Sequence, residues 1–221
     1  EAQKARGEKP RYDGRNRDKN LPKTENTVIR FKTPLTGEVT FDDHVRGPIT
    51  VANTELDDLV IARADGMPTY NFSVVIDDAD MGITHVVRGD DHINNTPKQM
   101  FVYQAMGYDL PTFAHVPMIH GKNGKMSKRD GATNVLEYKE AGYLSEALNN
   151  YLMRLGWSLG DEEVIDMARA IEHFDIHNVN KSASVFDQVK LDWFNAQYIR
   201  KLSATELLPQ LKPFYEKAGL T

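Results

Sequence analysis

The alternation of apolar and polar residues predicts strands in the first third of the chain. Two pairs of segments alternate as half-buried strands do, at residues 26–32, 38–42, 49–52 and 59–63. The segment TPLTG at 33–37 supplies a turn within the first pair. Residues 1–23 are polar and contain several glycines and prolines, so we expect a short helix followed by loop. These elements predict a small mixed α/β domain that ends near Gly66.

A helical period replaces this alternation after Pro68. Four residues fall at i, i+3, i+4 and i+7, namely Phe72, Val75, Ile76 and Ala79. They share one helical face, although the β-branched content leaves a strand possible. A strand, a turn, a second helix and a second strand should follow, at 83–88, 89–91, 92–106 and 113–119. Strand, helix and strand form half of a doubly wound nucleotide-binding fold, in which ligands lie at the carboxyl ends of the strands.

The rest of the chain has the pattern of helices. Ser145 can cap a helix that ends at Gly156 and has an apolar face of Leu148, Tyr151, Leu152 and Leu155. Further helices are expected at 164–174, 187–202 and 205–218. Trp157 and Trp193 should lie in the core, because large aromatic side chains commonly fill the space between packed helices.

The composition limits the class of protein. With 221 residues, 40% of them hydrophobic, the chain has room for one large or two small domains with an ordinary core. It has no run of about 18 apolar residues and no apolar signal segment, so we expect a soluble cytoplasmic protein without a membrane partner. There is no cysteine, and the seven histidines lack the spacing of metal ligands, so we expect neither disulfides nor a bound transition metal.

The formal charge of −5 is unevenly distributed along the sequence. Residues 1–32 contain ten Lys or Arg against five Asp or Glu, which leaves a charge of −10 on the remainder. A local basic segment on an acidic protein can contact nucleic-acid phosphates over a limited patch. A solvated or disordered arm would have the same composition, so both interpretations remain open.

A basic loop is predicted at 122–131, KNGKMSKRDG. It places the cations Lys125, Lys128 and Arg129 beside the hydroxyl of Ser127, with a glycine on either side. Glycines let the backbone approach a ligand closely, and clustered ammonium and guanidinium groups suit a polyanion such as a triphosphate. Any basic surface turn would share this composition. Only the order of the residues can distinguish a phosphate-binding loop from such a turn.

The order KMSKR at 125–129 resembles the KMSKS signature of class I aminoacyl-tRNA synthetases, in the form seen in glutamyl enzymes. Other blocks resemble bacterial glutamyl-tRNA synthetases in the same order along the chain: PTYNF at 68–72, RGDDH at 88–92, and the segments 143–157 and 186–199. The resemblance therefore spans essentially the whole chain.

This resemblance implies an α/β fold with three parts. Residues 1–66 would be the second part of an acceptor-binding insertion, 67–121 the second half of a Rossmann-type catalytic domain, and 122–221 the KMSKR loop with a helical stem-contact domain. The first Rossmann half with its HIGH-type motif and the anticodon-binding domain would then be missing. We expect a monomeric fragment that is inactive alone.

The implied reaction is the ATP-dependent activation of glutamate to glutamyl adenylate, followed by transfer to the 3′ end of tRNA. Its partners would be the tRNA acceptor stem, L-glutamate and ATP with Mg²⁺. Lys125 and Lys128 are the candidate catalytic residues, because in-line transfer needs positioning and charge stabilisation as pyrophosphate leaves. The resemblance assigns ATP binding to Asp91, Met118, Ile119, Lys125, Met126, Ser127, Lys128 and Arg129.

The same resemblance assigns glutamate binding to Tyr70, Asn71 and Arg88. Arg88 could instead be a structural ion-pair partner of Asp77, Asp78 or Asp91, and Met118 and Ile119 could simply pack in a strand. Neither step of the reaction needs a general base. Four histidines are therefore interpreted as structural or at most peripheral, namely His85, His92, His115 and His120.

Two positions depart from the family pattern. Asn16 and Asp18 stand where some relatives have a zinc-binding cysteine and histidine, so zinc is not expected. Asp91 stands where many relatives have glutamate, which shortens the reach of that carboxylate towards ATP by one methylene. A glutamyl-queuosine tRNA synthetase and a noncatalytic RNA-binding module that uses residues 1–32 remain as alternative functions.

Overall fold

A computed structural model describes residues 2–7, 11–121, 124–126 and 134–220. The chain divides into two compact units, Glu1–His115 and Val116–Thr221, called the first and the second unit below. The helices of the first unit are α1 (Ala2–Ala5), α2 (Tyr70–Asp80) and α3 (Thr96–Met106), with 3₁₀ turns at Asn53–Glu55 and Asp90–Asn95. Helix α2 confirms the helical interpretation of the segment after Pro68.

The strands of the first unit are β1 (Ile29–Arg30), β2 (Glu38–Asp43), β3 (Gly47–Ala52), β4 (Val60–Ala62), β5 (His85–Gly89) and β6 (Thr112–Val116). One sheet has the order β3-β2-β6-β5, and β2 runs parallel to β6 with Asp43 opposite Phe113. Strands from both sides of Gly66 thus share this sheet. The domain boundaries expected after residues 66 and 121 stay predictions.

The predicted pairing of the first four strands is wrong. β2 pairs with β3 in an antiparallel hairpin, and β1 pairs with β4. The chain can turn back directly after β2 because Gly47 takes a φ of 84°, which a glycine adopts without strain. The segment after β1 finds its partners further along the chain, since the Phe31 N–H donates to the Leu59 carbonyl at 2.9 Å.

The core of the first unit lies between the sheet and α3. It contains Val39, Phe41, Met100, Phe101 and Phe113, all of them buried. A smaller cluster joins α2 to α3. Helix α3 begins at residue 96 rather than 92, because the preceding residues form a 3₁₀ turn and Pro97 lies in the first helical turn.

The second unit consists mainly of helices. These are α4 (Val135–Glu140), α5 (Ser145–Gly156), α6 (Met167–His173), α7 (Gln188–Lys201) and α8 (Ala204–Lys217). A small sheet has the order β8-β7-β9 and contains β7 (Ile119–Gly121), β8 (Gly124–Lys125) and β9 (Ser184–Val185). The core cluster comprises Tyr138, Leu148, Tyr151, Phe186, Leu191 and Phe194.

Several details of the second half differ from the predictions. The strand expected over 113–119 is interrupted, because Pro117 has no N–H to continue a ladder. Ser145 is the first residue of α5 and not its cap. Trp157 is buried as predicted, but Trp193 is 39% exposed and packs under the ammonium of Lys190.

Helices long and apolar enough to cross a membrane are absent from the described ranges.

Candidate functional site

The strongest candidate site surrounds Arg88, near the end of β5 in the first unit. The Arg88 side chain is half-buried, and its Nε–H donates to Nε2 of His115 at 3.1 Å. Its Nη2 donates to Oγ1 of Thr96, the first residue of α3, at 2.8 Å. The guanidinium lies 5.9 Å from the centroid of the Phe113 ring. The ends of two strands and the start of a helix therefore hold this one cation.

Arg88 has no carboxylate partner in the part of the chain that the structure describes. None of the ion pairs there includes it, so the alternative pairing with Asp77, Asp78 or Asp91 is not formed. Burial lowers the pKa of Arg88, while the Tyr70 hydroxyl and the Asp78 carboxylate act in the opposite direction. The group still remains charged at neutral pH. A half-buried cation that forms no ion pair within 4 Å among the described residues favours the binding of an anionic ligand.

His115 connects Arg88 to a buried carboxylate. His115 and Asp43 are both fully buried at their side chains, and Nδ1 of His115 lies 2.5 Å from Oδ2 of Asp43. Three backbone N–H groups also donate to this carboxylate, those of Val45, Arg46 and His115, at 3.0, 2.8 and 3.0 Å.

The protonation states follow from this arrangement. Burial alone would raise the pKa of Asp43, but the hydrogen bonds outweigh it and bring the pKa below its ordinary value. Burial lowers the pKa of His115, although the Asp43 carboxylate opposes this change. At neutral pH Asp43 is therefore ionised and His115 is neutral.

The β2–β3 turn is fastened to both neighbouring strands. Arg46 forms an ion pair with Asp90, which directly follows β5, and its Nε–H donates to the His115 carbonyl oxygen at 3.4 Å. The turn from Asp43 to Arg46 therefore ties the end of β5 to the end of β6.

Tyr70 and Asn71 begin α2 on the same side of the first unit. The Tyr70 side chain is 50% exposed, and its hydroxyl lies 3.4 Å from Nδ1 of His92. The Asn71 side-chain oxygen accepts from Nε2 of Gln99 at 3.0 Å. Of the three predicted glutamate-binding residues, the structure brings Tyr70 into interaction with Arg88. Asn71 follows in the next helical position.

The predicted ATP-binding residues fall into both units. Asp91 is exposed in the first unit, and its Oδ1 lies 4.0 Å from Nε2 of His92. Met118 and Ile119 are half-buried in the second unit, where Ile119 and Met126 pack against the core cluster. The packing alternative therefore describes the side chain of Ile119. The assignment of these residues to ATP stays a prediction.

The KMSKR loop is described only at its start. Lys125 ends β8, and its backbone pairs with His120 of β7. Ser127, Lys128 and Arg129 lie outside the described residues. Their proposed contacts with ATP rest on the sequence.

Sequence reasoning missed part of the site. It left His115 among the structural histidines and did not single out Asp43 or Thr96. His115 and Asp43 are separated by 72 positions along the chain, so no local spacing could indicate that they meet. Clusters of three or more His, Asp or Glu that could hold a metal ion are not found within the described ranges.

We expect the first unit to lose stability when the pH falls below about 6.5. The groups that act on His115 are Asp43, Arg88 and His92, and burial keeps its pKa below the ordinary value of 6.5 in the folded state. The unfolded chain then binds a proton that the folded chain does not, so the free energy of unfolding falls as the pH decreases from 6.5 towards the folded pKa. The slope contributed by one such group is at most about 1.4 kcal/mol per pH unit.

Urea denaturation followed by NMR signals of β6 measures this effect. Fluorescence would report on the second unit, because both tryptophans lie there. His115→Gln should remove the slope, whereas His85→Gln, which changes an exposed histidine of β5, should keep it. An unchanged slope in His115→Gln would show that another group causes it.

Comparison with known proteins gives a consistent family. Residues 1–193 match the family described as "tRNA synthetases class I (E and Q), catalytic domain". The chain is 54% identical to glutamate–tRNA ligase 1 of Syntrophus aciditrophicus over 217 residues, which cover 98% of this chain and 46% of that protein. It is 55% identical to glutamate–tRNA ligase 2 of Halorhodospira halophila, over 99% of this chain and 47% of that protein. The chain thus spans about half the length of these relatives.

Solved structures agree with the sequence comparison. The crystal structure of a glutamate–tRNA ligase from Elizabethkingia meningosepticum in complex with its amino acid matches with a TM-score of 0.85 and 36% identity. The match covers 99% of this chain and 50% of that one. The glutamate–tRNA synthetase of Elizabethkingia anophelis matches equally well, over 51% of its length.

Proposed function

Because the chain belongs to the class I tRNA synthetase family for E and Q and matches its catalytic domain, we propose that it forms part of a glutamate–tRNA ligase. Such an enzyme joins glutamate to ATP with release of pyrophosphate, and then transfers the glutamyl group from the adenylate to the 3′-terminal ribose of tRNA. The names of the two relatives described above support glutamate as the amino acid.

The observation that carries this proposal is the half-buried cation of Arg88, which forms no ion pair with any described residue. Its half-buried guanidinium has no carboxylate partner in the described residues, and the side-chain carboxylate of glutamate is an ion of the right charge and shape. Tyr70 can add a hydroxyl contact, because its ring is half exposed beside Arg88. Asn71 is proposed to contribute through its amide group.

ATP would be bound with Mg²⁺, which enters with the nucleotide as part of the substrate. By family resemblance, an ATP contact is proposed individually for each of the following residues: Asp91, Met118, Ile119, Met126, Ser127 and Arg129. Lys125 and Lys128 would stabilise the charge that develops as pyrophosphate leaves. Zinc is not proposed, since Asn16 and Asp18 occupy the positions that would have to bind it.

The tRNA acceptor stem is the proposed nucleic-acid partner. Several cations of the basic segment 1–32 are already engaged within the protein, however. Arg17 is paired with the buried Asp58, and Lys32 with Asp18 at 2.9 Å. These ion pairs favour a folded acceptor-binding insertion over a free RNA-binding arm.

Charging of tRNA with labelled glutamate by the full-length protein tests the proposal. We expect incorporation that requires ATP and leaves the label on the terminal adenosine after digestion with ribonuclease A, which cuts after pyrimidines. Absence of incorporation contradicts the proposed function. Label that stays on an internal oligonucleotide would instead indicate the glutamyl-queuosine alternative.

A further inference from the structure

The contacts of Arg88 occupy one edge of its guanidinium. A guanidinium carries five N–H donors in one plane, and Nε–H and the adjacent N–H of Nη2 point to the same side. Both are bonded within the protein, to His115 at 3.1 Å and to Thr96 at 2.8 Å. Oγ1 of Thr96 also lies within hydrogen-bond distance of Nε2 of His115, at 3.2 Å, so the Thr96 hydroxyl can donate to Nε2 while its oxygen accepts from Arg88. At the outer edge, Nη1 and the second N–H of Nη2 have no hydrogen-bond acceptor within 3.5 Å among the described residues, although the Tyr70 hydroxyl acts on this guanidinium. This edge can therefore make a two-pronged contact with a ligand.

The acceptor at His115 depends on Asp43. An ionised carboxylate can only accept hydrogen bonds, so the short contact with Asp43 requires the proton of His115 to be on Nδ1. Nε2 is then unprotonated and can accept from Arg88. The opposite tautomer would place an N–H of His115 against the N–H of Arg88.

Asp43 is itself rigidly held. Its carboxylate accepts from the backbone N–H groups of Val45, Arg46 and His115, and its side chain is fully buried. Thr96 is also completely buried at the first position of α3. The guanidinium is thus held by two buried side chains, and one of them, His115, is fixed through Asp43 to three backbone N–H groups.

We propose that Asp43, His115 and Thr96 are positioning residues that orient Arg88, so that its outer edge meets the side-chain carboxylate of glutamate. This rests on the proposed function, in which Arg88 binds that carboxylate. A guanidinium held in one orientation discriminates between a carboxylate and an amide better than one that can rotate. Its second N–H donor then faces a fixed atom of the ligand, which is an oxygen in a carboxylate and can be an NH₂ group in an amide. The three residues therefore act on specificity through Arg88.

Thr96 gives the best matched pair of variants for a test. Thr96→Val keeps the shape of the side chain and removes the acceptor, whereas Thr96→Ser keeps the hydroxyl. In the full-length protein, Thr96→Val should raise the glutamate KM about 10-fold and lower the preference for glutamate over glutamine, with the ATP KM unchanged. Thr96→Ser should restore both values to within about threefold of the wild type.

His115 gives a second pair that does not depend on the first. Glutamine can place its side-chain oxygen near the position of Nε2, whereas asparagine reaches only the position of Nδ1. His115→Asn should therefore raise the glutamate KM about 10-fold or more, and His115→Gln should restore most of the loss. His85→Gln is the matched control, since this exposed histidine of β5 has no contact with Arg88.

The tautomer can be measured without any activity. Long-range ¹H–¹⁵N spectra of this 221-residue chain at neutral pH should show His115 protonated at Nδ1 alone. Protonation of His115 at Nε2 would overturn the proposal, independently of the kinetic results.

The kinetic outcomes separate this inference from the proposed function. If the wild-type protein does not charge tRNA with glutamate, the proposed function fails, and the role for glutamate fails with it. A different result would overturn this inference alone. If the wild type charges tRNA, and the Thr96 and His115 variants show a smaller fraction of active enzyme but an unchanged glutamate KM and an unchanged preference for glutamate, these residues have only a structural role.

Discussion

Replacing Lys128 with alanine in the full-length protein is expected to lower kcat for glutamate activation by about 10²-fold or more. The ammonium is proposed to act on charge that develops between the phosphates as pyrophosphate leaves. An interaction that strengthens only in the transition state changes kcat and leaves ground-state binding of the amino acid alone. The glutamate KM should therefore change little. Adenylate formation under single-turnover conditions measures the effect.

Lys139→Ala is the matched control for this substitution. Lys139 is an exposed lysine of α4 in the second unit, so its replacement removes the same charge at a residue outside the KMSKR sequence. It should leave kcat unchanged. A Lys128→Ala enzyme with normal kcat and a raised glutamate KM would show that the KMSKR loop has been assigned to the wrong substrate.

Local patterns were sufficient to predict much of the fold. The 3.6-residue period located α2, α5, α7 and α8, and the two-residue alternation located β2 and β3. The α/β class and the resemblance to glutamyl-tRNA synthetases are confirmed by the family match and by the likeness to solved structures. These features depend on residues close together in sequence or on motifs that keep their order.

Strand pairing could not be predicted in the same way. The turn at 33–37 made the first two strands look like a hairpin, but β1 pairs with β4 across a large part of the first unit. Register depends on which distant backbone groups are free to pair, and a local pattern does not contain that information. Ser145 and Trp193 were misplaced for a related reason, since capping and burial depend on the neighbours that the fold brings.

The candidate site shows the same division. Arg88 could be named because it lies in the RGDDH block, and the basic loop could be named from KMSKR. Asp43 and Thr96 lie in no such block, and His115 was read as structural. They come together around Arg88 only because β2 and β6 end, and α3 begins, at the same place in the first unit. The contacts that orient a binding residue were therefore harder to foresee than the residue itself.

Replacing Arg88 is expected to reduce both the use of glutamate and its preference over glutamine. Each charged hydrogen bond contributes roughly 1.5–3 kcal/mol, so Arg88→Ala should lower kcat/KM for glutamate about 10- to 100-fold, and more if a buried carboxylate is left unpaired. A guanidinium offers only donors. The amide of glutamine can satisfy one prong with its oxygen but turns its own NH₂ towards the other. Loss of the fork should therefore bring the two amino acids closer together as substrates.

Arg88→Lys separates charge from geometry. An ammonium is a point charge. It cannot donate to His115 and Thr96 as the guanidinium does and at the same time present two parallel donors to a carboxylate. We therefore expect lysine to restore only a small part of the activity with glutamate and little of the preference. Arg63→Ala and Arg63→Lys are the controls, because Arg63 is an exposed arginine of the first unit that is paired with Asp65. The measurement is adenylate formation with glutamate and with glutamine. If the preference for glutamate is unchanged in both Arg88 variants, Arg88 is a structural residue held by His115 and Thr96 and does not contact the substrate.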